Sequence, residues 1–158
     1  MRYIAHRGLF RGPDTETENT PGQLIAALNQ NFECEVDVWF IDGDWYLGHN
    51  GPAIETSWEF LNNAKFWLHC KNLDAYHELN EKQWLGIVKP VFFWHETDQV
   101  VRCSNGMTWT YLGRPETLSQ FSICVMPEVE WDWISINSIT NCAGFCSDWI
   151  ERIRANRT

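Results

Sequence analysis

Apolar residues in this chain come in short blocks separated by polar, turn-forming stretches, and two periods recur among them. Period two marks strands: Arg2-Tyr3-Ile4-Ala5, the alternating run through Glu35-Val36-Asp37-Val38, Phe66 to Asn72, Pro90 to His95, Met107 to Leu112, Ser122 to Met126, Trp133 to Asn137 and Ala143 to Cys146. Asp42-Gly43-Asp44 reads as a tight turn, and Trp45-Tyr46-Leu47 as a return strand beside the second of these. Helical spacing appears between the strands. Leu24, Ile25, Ala27 and Leu28 form a stripe behind Thr20-Pro21-Gly22-Gln23, where Thr20 is the predicted N-cap, Pro21 the first helical residue and Gln23 the far side of a capping box. Ser57 caps Trp58 to Leu61, and Leu73, Tyr76 and Leu79 share one face of a helix from Leu73 to Lys82. Shorter helical pieces are predicted from Thr97 to about Cys103, at Pro115 to Gln120, and from Asp148 to about Asn156.

Alternating strands and helices imply a parallel sheet. Eight such strands, leaving out the return strand, imply a (β/α)8 TIM-type barrel. The 158 residues fall short of the roughly 250 usual for that architecture. The expectation is therefore one α/β domain over residues 1–158, a compact barrel with several outer helices shortened or missing, with an open sheet as the alternative.

Polar residues sit where these strands end. Side chains two apart on a strand share a face, so Glu35 and Asp37 project together, about 7 Å apart along the strand, as half of a hard-cation site. The return strand brings His49 back towards the same end. His6, Asp37, His69, Lys71 and His95 all lie at or near C-terminal strand ends, where barrels of this kind carry their sites. Arg7-Gly8 supplies a planar cation and a backbone that a ligand can approach, a combination suited to phosphate. Glu33 shares the face of Glu35 and Asp37 but lies lower, opposite Arg2, which neutralises it. No basic partner is evident for Glu35 and Asp37.

The order His6-Arg7-Gly8, Glu18-Asn19-Thr20, Glu35-x-Asp37 and His49 resembles the glycerophosphodiester phosphodiesterase family, of the phospholipase-C-like phosphodiesterases. Gly144-Phe145-Cys146-Ser147-Asp148 looks like that family's closing segment, which favours the barrel over the open sheet. The resemblance implies that His6 and His49 are the catalytic acid and base and that Glu35 and Asp37 are metal ligands, with Mg or Ca as the ion. Two positions depart from it. The family's third, acidic ligand is aligned with His69, followed by Lys71; as a ligand, imidazole suits Mn, Zn or Fe better, and otherwise Glu18 or water fills the position. Asn50 stands where the family has Asp, which removes a possible orienting carboxylate beside His49. Arg7 and Lys71 become phosphate contacts. His95 is either packed or a substrate contact, and Trp109, with Tyr111 and Trp39, either core or an apolar wall for a head group.

Composition narrows the choice. A net charge of −9 argues against general affinity for nucleic acid or an anionic membrane, and it makes the carboxylate pair sensible mainly with a cation. No run approaches about 18 apolar residues, and the start is neither basic nor leader-like, so a cytoplasmic protein with reduced cysteines and no integral membrane segment is expected. The expected activity is metal-dependent hydrolysis or cyclisation of a small glycerophosphodiester or lysophospholipid head group. A non-catalytic phosphate-binding module on the same scaffold is the alternative. Oligomeric state is not legible.

Overall fold

A computed structural model describes residues 1–112 and 117–157. Ten strands form one sheet: β1 (Arg2–Ala5), β2 (Glu33–Ile41), β3 (Asp44–Leu47), β4 (Ile54–Thr56), β5 (Phe66–Cys70), β6 (Val91–Trp94), β7 (Val100–Arg102), β8 (Thr108–Tyr111), β9 (Ser122–Val125) and β10 (Gly144–Ser147). Among the described residues five α-helices accompany them: α1 (Pro21–Asn29), α2 (Trp58–Leu61), α3 (Leu73–Trp84), α4 (Trp133–Ser138) and α5 (Ile150–Ala155). Seven strands run parallel in the order β6-β5-β2-β1-β10-β9-β8. The hairpin strand β3 pairs antiparallel with β2 and with β4, and β7 pairs antiparallel with β8.

The mixed α/β class holds, but the closed eight-stranded ladder does not. Among the described residues no ladder joins β6 to β8. The sheet nevertheless curls until its ends touch. Phe93 of β6 stacks on Trp109 of β8 with ring centroids 4.7 Å apart, and Ser104, in the turn after β7, donates its backbone N–H to the Phe92 carbonyl at 2.9 Å. Two further expectations fail. Trp133 to Asn137 is α4, whose start is capped by Asp132 accepting from Ser135 N at 2.8 Å. Thr97 to Cys103 carries strand β7, because its β-branched Val100 and Val101 pair with Thr110 and Trp109 instead of winding. The expected helical turn at 115–120 begins outside the described residues.

Alternation gives the sheet two apolar faces. Cys34, Val36 and Val38 of β2 and Phe66, Leu68 and Cys70 of β5 join Leu24, Ala27, Ala75 and Leu79 in the layer between sheet and helices. Ile4, Trp67, Phe93, Cys103, Trp109, Ile123, Val125 and Cys146 fill the inside of the curl. Trp109 is therefore core, 5% exposed between Trp67 and Phe93, and not the wall of a binding site. Lower on this face Glu33 does meet Arg2, at 2.7 Å. All six cysteines are buried free thiols. Among the described residues no helix is long and apolar enough to cross a membrane.

Candidate acid–base and metal site

The plug of apolar side chains inside the curl ends one step below the C-terminal strand ends, so the next inward residues of β1, β2 and β5 stand above it. These are His6, the pair Glu35 and Asp37, and His69, which is in register with Asp37. The chain leaves β1 through a 3-10 turn at His6–Gly8 in which Arg7 takes a left-handed conformation, φ 52°. That turn aims the Arg7 N–H at Glu35 Oε2, 3.0 Å away. Gly8 is needed for a different approach from the one expected: a Cβ there would come within 3.1–3.3 Å of Leu24 and Gln23 at the start of α1. The Gln23 side chain likewise skips the capping box and donates to the Gly8 carbonyl at 2.8 Å, while Thr20 caps α1 through Gln23 N at 3.3 Å. Helix α1 and the His6 turn are thereby clamped together.

Asp37, fully buried, is the hub. Its Oδ2 receives Asn19 Nδ2 at 2.9 Å and His49 Nδ1 at 3.0 Å and lies 3.1 Å from Arg7 Nε. Its Oδ1 lies 3.0 Å from His69 Nδ1 and 3.5 Å from Lys71 Nζ, and makes no hydrogen bond. Burial raises the cost of its charge, yet the hydrogen bond from His49 and the nearby His69 and Lys71 outweigh it, so the carboxyl is held well below its ordinary range. Asn19 returns the contact by accepting from the Asp37 backbone N–H at 3.0 Å, which puts this buried residue in a left-handed conformation, φ 55°. Asn accepts that backbone more readily than most residues.

Two carboxylate–histidine pairs meet at the site. His49 Nδ1 is on Asp37; the orienting carboxylate that position 50 lacks is thus supplied by β2. His6 Nδ1 lies 2.8 Å from Asp148 Oδ1, at the end of β10, and its Nε2 lies 3.9 Å from Glu35 Oε2. Burial disfavours the charged His6 ring, but the Asp148 hydrogen bond and the nearby Glu35 prevail and raise its pKa. In both histidines Nδ1 is committed, which leaves Nε2 as the nitrogen free to exchange a proton.

Other expected residues take different places. Glu18 accepts from Arg7 Nη1 at 2.9 Å and stands outside the group of possible ligands; it positions Arg7. Arg7 and Lys71 both reach Asp37, so the carboxylate pair does have basic partners, carried by neighbouring turns and not by the same layer of strands. His95 stacks on His69 with centroids 4.7 Å apart, and burial together with the charges of His69 and Lys71 pushes its pKa down. His69 also stacks on Phe93 at 5.0 Å. Asp148 and Asn19 stand in the sequence motifs without an assigned role, and no sequence pattern marks Glu128. Glu128 Oε1 accepts from Ser147 Oγ at 2.5 Å and from Asp148 N at 3.2 Å, which ties down the residue that holds His6.

Glu35, Asp37 and His69 each offer a ligand atom within 4.8 Å of the others. With Asp37 Oδ1 buried and free of hydrogen bonds, this donor set fits a divalent cation. Comparison with protein-family models, curated proteins and solved structures finds no match, so the reading of the site rests on its geometry.

Proposed function

We propose that this protein is a metal-dependent phosphodiesterase acting on small glycerophosphodiesters or lysophospholipid head groups, on a barrel-like scaffold left open between β6 and β8. The observation that carries the reading is the pair of histidines, each with Nδ1 held by a carboxylate at 2.8 and 3.0 Å, one on Asp37 itself and the other with Nε2 3.9 Å from Glu35, at a buried carboxylate pair that fits a cation. Proton transfer at two oxygens of a phosphodiester needs two such groups. One histidine Nε2 takes the proton of the attacking hydroxyl, from water or from the substrate itself, and the other delivers a proton to the leaving alcohol. Glu35 and Asp37, with His69 beside them, would hold the divalent cation, whose charge offsets that of the phosphoryl oxygens. Arg7 and Lys71 add fixed positive charge on the same side. Cleavage of a glycerophosphodiester by the wild type, lost by at least a hundredfold in both His6→Ala and His49→Ala, is the expected result; undiminished turnover in either variant contradicts the assignment.

One observation favours a second reading, a phosphate-binding module without turnover. Arg7 and Lys71 lie 3.1 and 3.5 Å from Asp37, so its charge is compensated without a cation. Binding of a phosphodiester unaffected by EDTA, with no cleavage, distinguishes this reading from the first.

A further inference from the structure

The third donor beside the carboxylate pair is nitrogen, and its placement bears on which ion the site takes. His69 Nδ1 stands 3.0 Å from Asp37 Oδ1 and 3.6 Å from Glu35 Oε1. Ligands about 2.1 Å from one ion, at angles of about 90 to 120°, lie about 3.0 to 3.6 Å from each other. Around calcium, with bonds of about 2.3–2.6 Å, the same angles spread them to about 3.3–4.5 Å. The 3.0 and 3.6 Å edges match the shorter bonds, and calcium, whose pentagonal shell also admits short edges, is disfavoured by its preference for oxygen ligands. Magnesium has the right size, but it takes oxygen ligands and keeps its waters, whereas imidazole suits first-row transition ions. The plane of the ring is fixed: it lies flat against Phe93 and His95, with interplanar angles of 13° and 10°, and Phe93 is locked into the core by Trp109.

We infer that His69 Nδ1 is a metal ligand and that the Glu35–Asp37–His69 site selects a transition ion of the Mn, Fe or Zn class over Mg and Ca. This rests on the reading above only in taking a divalent cation as the occupant of the carboxylate pair. Phe93 and His95 act as the platform that presents the imidazole.

The test uses the full chain, stripped with EDTA and loaded with Mn(II). Electron spin-echo modulation should show a directly bound nitrogen whose coupling changes when the histidines are labelled with 15N, a measurement that needs no variant. The coupling should persist in His49→Gln and vanish in His69→Asp, with circular dichroism confirming that both variants fold. By calorimetry the wild type should bind Mn more tightly than Mg or Ca, and His69→Asp should reduce that preference by about tenfold or more. Because transition ions outbind Mg at most sites, the change in ratio is the informative quantity. Mn bound without nitrogen coupling, or a ratio unmoved by His69→Asp, overturns the inference and leaves the phosphodiesterase reading standing. Absence of any metal binding overturns both. Nitrogen-bound metal with no turnover of any phosphodiester upholds the inference and removes the phosphodiesterase.

Discussion

Replacing Asp148 by Ala probes the chemistry without touching the carboxylate pair. Asp148 is 7% exposed, and its Oδ1 lies 2.8 Å from His6 Nδ1. A hydrogen bond to a charged group in such a place contributes about 1.5–3 kcal/mol. Two effects follow from its removal: the ring is no longer fixed with Nε2 outward, and the imidazolium loses its nearest counter-charge. At about 1.36 kcal/mol per decade, kcat should fall roughly 10- to 150-fold with KM changed by less than about twofold, since the aspartate meets the substrate only through His6. The assay is phosphodiester turnover at 25 °C with a melting curve for each variant, because loss of a partly buried polar contact lowers the melting temperature as well. A cycle with His6→Ala separates orientation from general damage. In the His6→Ala background the Asp148→Ala change should cost no further activity. Losses that multiply, or an Asp148→Ala enzyme as active as the wild type, would refute the assignment of Asp148 to His6.

Asn19→Ala removes both hydrogen bonds to the buried Asp37 and puts alanine into a left-handed backbone. It should destabilise by about 2–3 kcal/mol, a fall of about 4–12 °C in melting temperature; a melting curve matching the wild type would mean that Asn19 does not support the hub. Glu128 gives a pH signature. Burial pushes its carboxyl up from the ordinary 4.5, so the fold favours the protonated form. Its contribution to stability is complete below pH 4.5 and is lost as pH rises through the raised value. Glu128→Gln keeps the acceptor facing Ser147 and Asp148, and its melting temperature from pH 4 to 7 should lack the decline attributable to this group; identical profiles for variant and wild type would contradict the burial argument.

Much of the frame was legible because local rules and tertiary demands agree in it. The alternation in β2 separates Cys34, Val36 and Val38 from Glu35 and Asp37, and the helix layer and the curl's interior each receive one set. Thr20 and Ser57 cap α1 and α2 by accepting from Gln23 and Phe60, as their positions announce, whereas Asn72, expected to end a strand, caps α3 by accepting from Ala75. Reading failed where a short segment satisfied two periods. Trp133-Ile134-Ser135-Ile136 alternates like a strand, yet Asp132 caps it as a helix that buries Ile136 and leaves Ile134 85% exposed. Closure of the barrel was beyond sequence patterning, because it depends on whether β6 and β8 form a ladder or meet through side chains such as Phe93 and Trp109. In the site, residue types at strand ends announced His6, Glu35, Asp37, His49 and His69. Their partners did not announce themselves: Asp148 is 142 positions from His6, and Arg7 and Lys71 reach Asp37 from turns whose side-chain paths no period encodes.

The most direct measurement is turnover of glycerophosphocholine, glycerophosphoethanolamine and lysophosphatidylcholine by EDTA-stripped protein resupplied in turn with Mg, Ca, Mn and Zn. The account predicts no cleavage by the stripped protein and cleavage of at least one substrate restored by an added ion, Mn or Zn ahead of Mg and Ca. Silence across the whole panel with metal binding shown by calorimetry, or cleavage indifferent to EDTA, would contradict it.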